Sequence, residues 1–291
     1  SLYRGNVKRY KAKVGQATYQ QNRLACGRHL DNLEKAAFLA YVDSHIREDK
    51  WSLDACVGRA LQSGEFVRCE LVCTKTLYRY VDLGLMGTRN HNLPEKLKRN
   101  TKAHRIRKNK KKLGRSIEER PEEVENRQEF GHWEADLVVG QKSGNDQVLL
   151  TLVERKSREY WMFPIKNRHA DSVMRAFNAL QKTYSEHFSQ VFKTITTDNG
   201  SEFSRLSELE ELAETLVFYT HPYTSCEKGT NERHNGIIRR FIPKGKRISD
   251  FDVDYIADIE IWCNILPRKI LNYRTPDEVF EDELDLIYRQ T

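Results

Sequence analysis

The run Val191-Phe192-Lys193-Thr194-Ile195-Thr196-Thr197 alternates apolar and polar side chains and stops at Asp198-Asn199-Gly200. That pattern predicts a β-strand over 191–197, closed by a turn, with a carboxylate at its end. Downstream, Glu227-Lys228-Gly229-Thr230-Asn231-Glu232-Arg233-His234-Asn235-Gly236-Ile237-Ile238-Arg239-Arg240 reads as a helix that carries Glu232 among basic and amide residues. Upstream, Gly131-His132-Trp133-Glu134-Ala135-Asp136-Leu137-Val138-Val139-Gly140 is again strand-like. Side chains two apart on a strand share a face, so His132, Glu134 and Asp136 line one side and Trp133, Ala135 and Leu137 the other. Polar groups on a central strand are costly unless paired or bound to metal. Any fold for this chain has to satisfy that face.

The rest of the sequence supplies the order of elements around these runs. Strands are expected over 133–139, 147–153 and 159–165, the first two joined by a turn at Lys142-Ser143-Gly144-Asn145 as an antiparallel hairpin. An amphipathic helix over 170–184 follows, then the strand ending at Thr197, a helix over 204–215, and a short strand over 216–219. Three meandering strands followed by helix, strand, helix, strand and helix resemble a ribonuclease H-like α/β domain. Its expected span is 130–291.

Ahead of it the pattern is helical. Apolar residues Leu33, Ala36, Ala37, Leu39, Ala40, Val42 and Ile46 fall at helical spacing. Ser52 is placed to cap a second helix that ends near Gly64, and a third runs from Thr74 to the residue before Gly84. On that third helix Leu77 and Val81 are expected to face the core, with Lys75, Thr76 and Arg79 pointing outward. Three short helices with a basic third member are expected to form an all-α helix-turn-helix domain over 31–95 that reads DNA. An ordinary three-helix bundle is the plainer reading. Residues 1–30 form a basic extension. Residues 96–129 read as a linker, cationic first (Lys108 and Lys111 among many) and acidic from Glu118. A run of like charge is either solvated or lies on phosphates, where counterion release would make binding salt-dependent.

Composition agrees with an anionic partner. The chain has 291 residues, a net charge of +7 and a pI near 9.0. That length can hold about two domains, and the 38% hydrophobic content fits a soluble protein with a core. No apolar run approaches the roughly 20 residues of a membrane span. The six cysteines have no zinc-finger spacing and are expected as reduced thiols of a cytosolic protein.

Three carboxylates on two strands and a helix are hard oxygen donors suited to Mg²⁺ or Mn²⁺, and two ions about 3.5–4 Å apart would serve phosphodiester chemistry. The joint pattern has a close counterpart. Trp133-Glu134-Ala135-Asp136, Thr197-Asp198-Asn199-Gly200-Ser201-Glu202-Phe203 and His221-Pro222-Tyr223-Thr224-Ser225, leading to Lys228-Gly229-Thr230-Asn231-Glu232, resemble the DDE transposases of bacterial insertion sequences, the IS-thirty family above all. So do Thr151-Leu152-Val153-Glu154-Arg155-Lys156-Ser157-Arg158 and Pro267-Arg268-Lys269-Ile270-Leu271-Asn272-Tyr273-Arg274-Thr275-Pro276. The 33 residues between Asp198 and Glu232 are of the length those enzymes show.

The resemblance implies that Asp136, Asp198 and Glu232 bind two Mg²⁺ or Mn²⁺ ions and are catalytic. His132 and Glu134 would support them. Lys228, Asn231, Arg233 and Asn235 would lie near double-stranded DNA, namely terminal inverted repeats and a target. It further implies strand cleavage and transfer by a homo-oligomer in the bacterial cytoplasm, at the nucleoid. Family members carry another helix-turn-helix upstream, so a segment before Ser1 is expected. Two rival readings are a ribonuclease H-like nuclease that cuts without joining and a non-catalytic DNA-binding regulator.

Overall fold

Ser52 Oγ accepts the Ala55 N–H at 3.1 Å, which starts a helix where the sequence places one. The computed structural model describes residues 12–25, 35–93, 113–141, 146–221 and 225–289. The first elements are α1 (Ala12–Ala25), α2 (Ala36–Arg47), α3 (Leu53–Ser63) and α4 (Thr74–Leu83). Gly64 and Gly84 end α3 and α4 at φ 73° and 69°, a left-handed conformation that glycine adopts without a Cβ penalty. Phe38, Val42, Ile46, Leu53, Cys56, Leu77 and Val81 form one buried cluster between α2, α3 and α4. Lys75 and Arg79 stand on the opposite, exposed side of α4, with Thr76 half-buried. Of the expected extension, residues 1–11 and 26–30 lie outside the described residues, as do 31–34 and 94–95 of the expected helical domain and 96–112 of the linker.

A six-stranded sheet follows. Its elements are β1 (Arg115–Ser116), α5 (Glu122–Asn126), β2 (His132–Val139), β3 (Val148–Glu154), β4 (Tyr160–Ile165), α6 (Ala170–Tyr184), α7 (Phe188–Val191), β5 (Thr194–Thr197), α8 (Glu208–Ala213), β6 (Leu216–Tyr219), α9 (Gly229–Ile238), α10 (Val253–Asn264) and α11 (Pro276–Tyr288). The strand order is β1-β6-β5-β2-β3-β4. The meander β2-β3-β4 is antiparallel, with Asp136 opposite Thr151, whereas β5 runs parallel to β2 and to β6. This is the ribonuclease H-like arrangement expected above. The hairpin turn 142–145 lies outside the described residues.

Alternation along the strands sorts two cores. Trp133, Ala135, Leu150, Leu152 and Ile195 face Val173, Phe177, Phe188, Phe192 and Phe280. Val138, Leu149, Val153 and Tyr160 face Ile238, Ile242, Ile256 and Ile259, so α9 and α10 cover the second side of the sheet.

Three expectations change. The strand before Asp198 has four residues, because Val191 ends α7 and Phe192 turns into the core; Trp133 Nε1 donates to Val191 O at 2.7 Å and fixes that corner. The helix over 204–215 shrinks to α8, since Ser201–Phe203 forms a separate 3-10 turn that buries Phe203. The acidic half of the expected linker is folded. Arg115 and Ser116 pair with Phe218 and Tyr219, and Val124 is buried.

The helical unit docks on the C-terminal segment. Trp262 Nε1 donates to Asp49 O at 2.6 Å, and Arg59 Nη2 lies 2.6 Å from Glu278 Oε1. Tyr273 fits a notch at Gly58, where an added Cβ would come within 2.1 Å of its ring. Cys56, Cys69, Cys73 and Cys263 are free thiols. Among the described residues no helix is long and apolar enough to cross a membrane.

Candidate active site

Parallel pairing of β2 with β5 sets the site. His132 is level with Thr194 and Glu134 with Thr196. The same offset of 62 residues, carried to 136 and 198, brings Asp136 level with Asp198 just past the end of β5. Both carboxylates are partly buried and still reached by solvent; their side chains are 28% and 48% exposed. Two anions so placed repel each other, and the structure puts a cation between them. Lys228, at the N-terminus of α9, lies with Nζ 3.1 Å from Asp136 Oδ1 and 3.8 Å from Asp198 Oδ2, and it also donates to Ala135 O at 3.3 Å. Burial raises the pKa of Asp198 above its ordinary value, with Lys228 opposing and Asp136 adding to the rise.

The other oxygen of Asp136 is fixed. Asn235 Nδ2 donates to Asp136 Oδ2 at 2.8 Å. Asn235 cannot flip, because its Oδ1 accepts from the Tyr160 hydroxyl at 2.9 Å. One turn earlier Asn231 is fully buried. Its backbone N–H donates to Glu134 Oε2 at 2.9 Å and its Nδ2 to Glu134 O at 3.0 Å. Arg155 Nη1 completes the fixation of Glu134, donating to Oε1 at 2.6 Å. Both members of that ion pair are buried, so each needs the other. Arg158 Nη1 adds a bond to Thr230 Oγ1 at 3.2 Å.

These contacts bear on the expected roles. Asn231 and Asn235 turn toward the sheet and hold it, so their amides do not face DNA. Glu134, expected as a supporting group, spends both oxygens on Arg155 and α9 and acts as a clamp between strand and helix. His132 sits at the start of β2, with Nδ1 2.9 Å from Thr194 Oγ1 and Nε2 2.9 Å from Glu129 Oε2, and burial lowers its pKa. It does not approach Asp136 through either nitrogen. Arg233 is exposed on α9, whereas Lys228 is buried against the carboxylates. Lys108, Lys111 and Pro222-Tyr223-Thr224 lie outside the described residues.

Glu232 is exposed on α9, and among the described residues no partner holds it. It follows Lys228 by one turn and precedes Asn235 by three residues, so it borders the helix face that meets the strands. Among the described residues no group of three or more histidine, cysteine or acidic side chains is arranged to hold a metal ion. The structure therefore brings Asp136 and Asp198 together and leaves Glu232 at the rim. Two hard carboxylates that already share one cation fit a divalent ion in donor chemistry. Arg155 and Tyr160 act as supporting groups that the sequence pattern does not single out. A carboxylate on a fully buried strand position calls for a cation, and that requirement was the available signal.

Sequence comparison shows what the core is similar to. Residues 126–225 match the integrase core domain. Around that core the chain is similar to a probable transposase for insertion-like sequence element IS1161 of Streptococcus salivarius, 40% identical over 208 residues, 72% of this chain and 58% of the relative. It is similar to the transposase for insertion sequence element IS4351 of Bacteroides fragilis, 37% identical over 57% of this chain and 49% of that one. The transposase InsI for element IS30C of Escherichia coli K12 is 33% identical over 58% and 42% respectively. The chain thus spans about half the length of these relatives. The match to the integrase core starts at residue 126 and includes both Asp136 and Asp198.

Proposed function

We propose that this chain is the transposase of an insertion sequence, cutting the ends of its element and joining them to target DNA. The observation that supports this most directly is the level placement of Asp136 and Asp198 about one cation on an integrase core. Asp136, Asp198 and Glu232 are the catalytic carboxylates in this reading and would hold two Mg²⁺ or Mn²⁺ ions. Such ions supply charge neutralisation at the phosphate and a more acidic attacking water or hydroxyl.

The chain's own residues prepare the site. Asn235 holds one oxygen of Asp136, so the other faces Asp198. Glu134 and Arg155 seat the first turn of α9 and thereby fix where Glu232 emerges. Water attacks the phosphorus at the element's end and the P–O3′ bond breaks, leaving a 3′-hydroxyl. That hydroxyl then attacks a target phosphodiester and displaces its 3′ oxygen, with no covalent enzyme intermediate. Positioning and electrostatics carry both steps.

DNA contact divides by position. Lys75, Thr76 and Arg79 on α4 reach base edges as part of a helix-turn-helix unit over 31–95, and residues 96–115 with Lys108 and Lys111 follow phosphates. Arg233 meets the substrate strand. Two element ends must meet, so the active form is an oligomer on DNA in the bacterial cytoplasm.

The test is incubation of the protein with Mg²⁺ or Mn²⁺ and labelled duplexes that carry the element's ends, beside Asp198→Asn. Nicked and joined products, both lost in the variant, are expected. Cutting without joining would mean a nuclease, and binding without cutting would mean a regulator.

A further inference from the structure

Lys228 has a role that neither the strand pairing nor the family match assigns. Its ammonium is almost completely buried and touches three acceptors: Asp136 Oδ1, Asp198 Oδ2 and Ala135 O. Asp136 Oδ2 is taken by Asn235, which Tyr160 holds in turn. The oxygens that Asp136 and Asp198 turn toward each other are therefore the ones Lys228 occupies. A divalent ion bonds a carboxylate oxygen at about 2.0–2.2 Å. With Nζ 3.1 Å from Asp136 Oδ1, ion and ammonium would lie within about 5–6 Å of each other and compete for the same lone pairs. Both cannot be served by two carboxylates in the present geometry. Lysine is the residue able to yield, because its charge rides on a flexible four-carbon stem.

We propose that Lys228 is a resident counter-cation that a divalent ion must displace from Asp136 and Asp198, its ammonium then moving outward toward the DNA-facing rim of α9. This rests on the active-site reading above. Lys228 keeps the two carboxylates apart from uncontrolled repulsion and sets the affinity of the site for metal. It is a positioning residue, and its displacement couples loading of the site to a free positive charge beside the substrate phosphate. The buried Glu134–Arg155 pair does not move in this exchange, since one Glu134 oxygen is committed to Arg155 and the other to α9.

The experiment follows Lys228 itself in the full wild-type chain. Mn²⁺ binding is read by electron paramagnetic resonance, and lysine accessibility by reductive methylation with peptide mass spectrometry. Lys228 should methylate slowly without metal and several-fold faster at saturating Mn²⁺, while exposed Lys75 stays constant. Lys228→Met, checked for folding by circular dichroism, should bind Mn²⁺ several-fold more tightly than wild type. Mn²⁺ binding with unchanged Lys228 methylation would overturn the exchange and leave the active-site reading standing. Absence of Mn²⁺ binding in the wild type would overturn both. Weaker Mn²⁺ binding by a folded Lys228→Met protein would make the lysine a helper of the metal and contradict the inference.

Discussion

The backbone N–H of Asn231 donates to Glu134 Oε2 across 2.9 Å, tying the first turn of α9 to the middle of β2. Since Glu134 is in turn paired with Arg155 at 2.6 Å, a single buried carboxylate joins the central strand, the loop after β3 and the helix that carries Glu232. Removing one partner leaves the other as an unpaired buried charge. Glu134→Ala or Arg155→Met should each cost about 3–5 kcal/mol, read from urea denaturation. A cost below about 1 kcal/mol would show that the pair does not hold α9.

Gly58 makes a second, independent test of packing. An added Cβ would meet Tyr273 Cε1 at 2.1 Å, and Tyr273 also donates its hydroxyl to Asp54 Oδ2 at 3.2 Å. Gly58→Ala should destabilise by about 1–3 kcal/mol through overpacking. Combined with Tyr273→Ala, most of that added cost should vanish, because the clashing ring is gone. Additive costs in the double variant would mean that the helical unit is not seated on Tyr273.

A pH test follows from two buried carboxyls beside β4. Burial, with Asp277 next, raises the Glu159 pKa to about 8, and burial raises Glu260 to about 7. Both lie above the unfolded value of 4.5. Folding therefore favours their protonated forms, and the stability they contribute is full below pH 4.5 and lost as pH rises through 7 to 8. The slope for one group is about 1.4 kcal/mol per pH unit at most. Denaturation midpoints should fall between pH 5 and pH 8, and Glu159→Gln should flatten the decline. A midpoint that rises with pH over that window, unchanged by the substitution, would contradict it.

Lys75 and Arg79 test the helical unit as a reader. Both are exposed on α4 while Leu77 on the same helix is fully buried. Alanine at either exposed position should weaken binding to the element's ends and leave thermal stability unchanged. Leu77→Ala should cost about 2–5 kcal/mol of stability. Undiminished end binding by a Lys75→Ala, Arg79→Ala protein would make the unit an ordinary bundle.

Local pattern carried much of this far. The caps at Ser52 and Gly64, the Trp133 and Glu134 faces, and the helix over 170–184 all formed as period and capping chemistry dictate. What the sequence hid was set by partners distant along the chain. Asn235 reads as a polar helix residue until Tyr160 and Asp136 are beside it. Glu134 reads as a site carboxylate until Arg155 reaches it from the end of β3. Val191 continues an alternating run, yet Trp133 claims its carbonyl and the chain turns there. The acidic stretch after Glu118 reads as a linker because its one buried anchor, Val124, is a lone apolar residue among charges.

Glu232 gives the most direct test of the catalytic reading, because it is exposed on α9 and no described residue holds it. Its replacement by glutamine should leave the fold intact, so any loss of chemistry belongs to the carboxylate. Glu232→Gln should melt at the wild-type temperature and nick end-bearing duplexes at least about 100-fold more slowly, as Asp198→Asn should. Wild-type nicking by a Glu232→Gln protein would remove the helix carboxylate from the site and contradict the three-carboxylate mechanism.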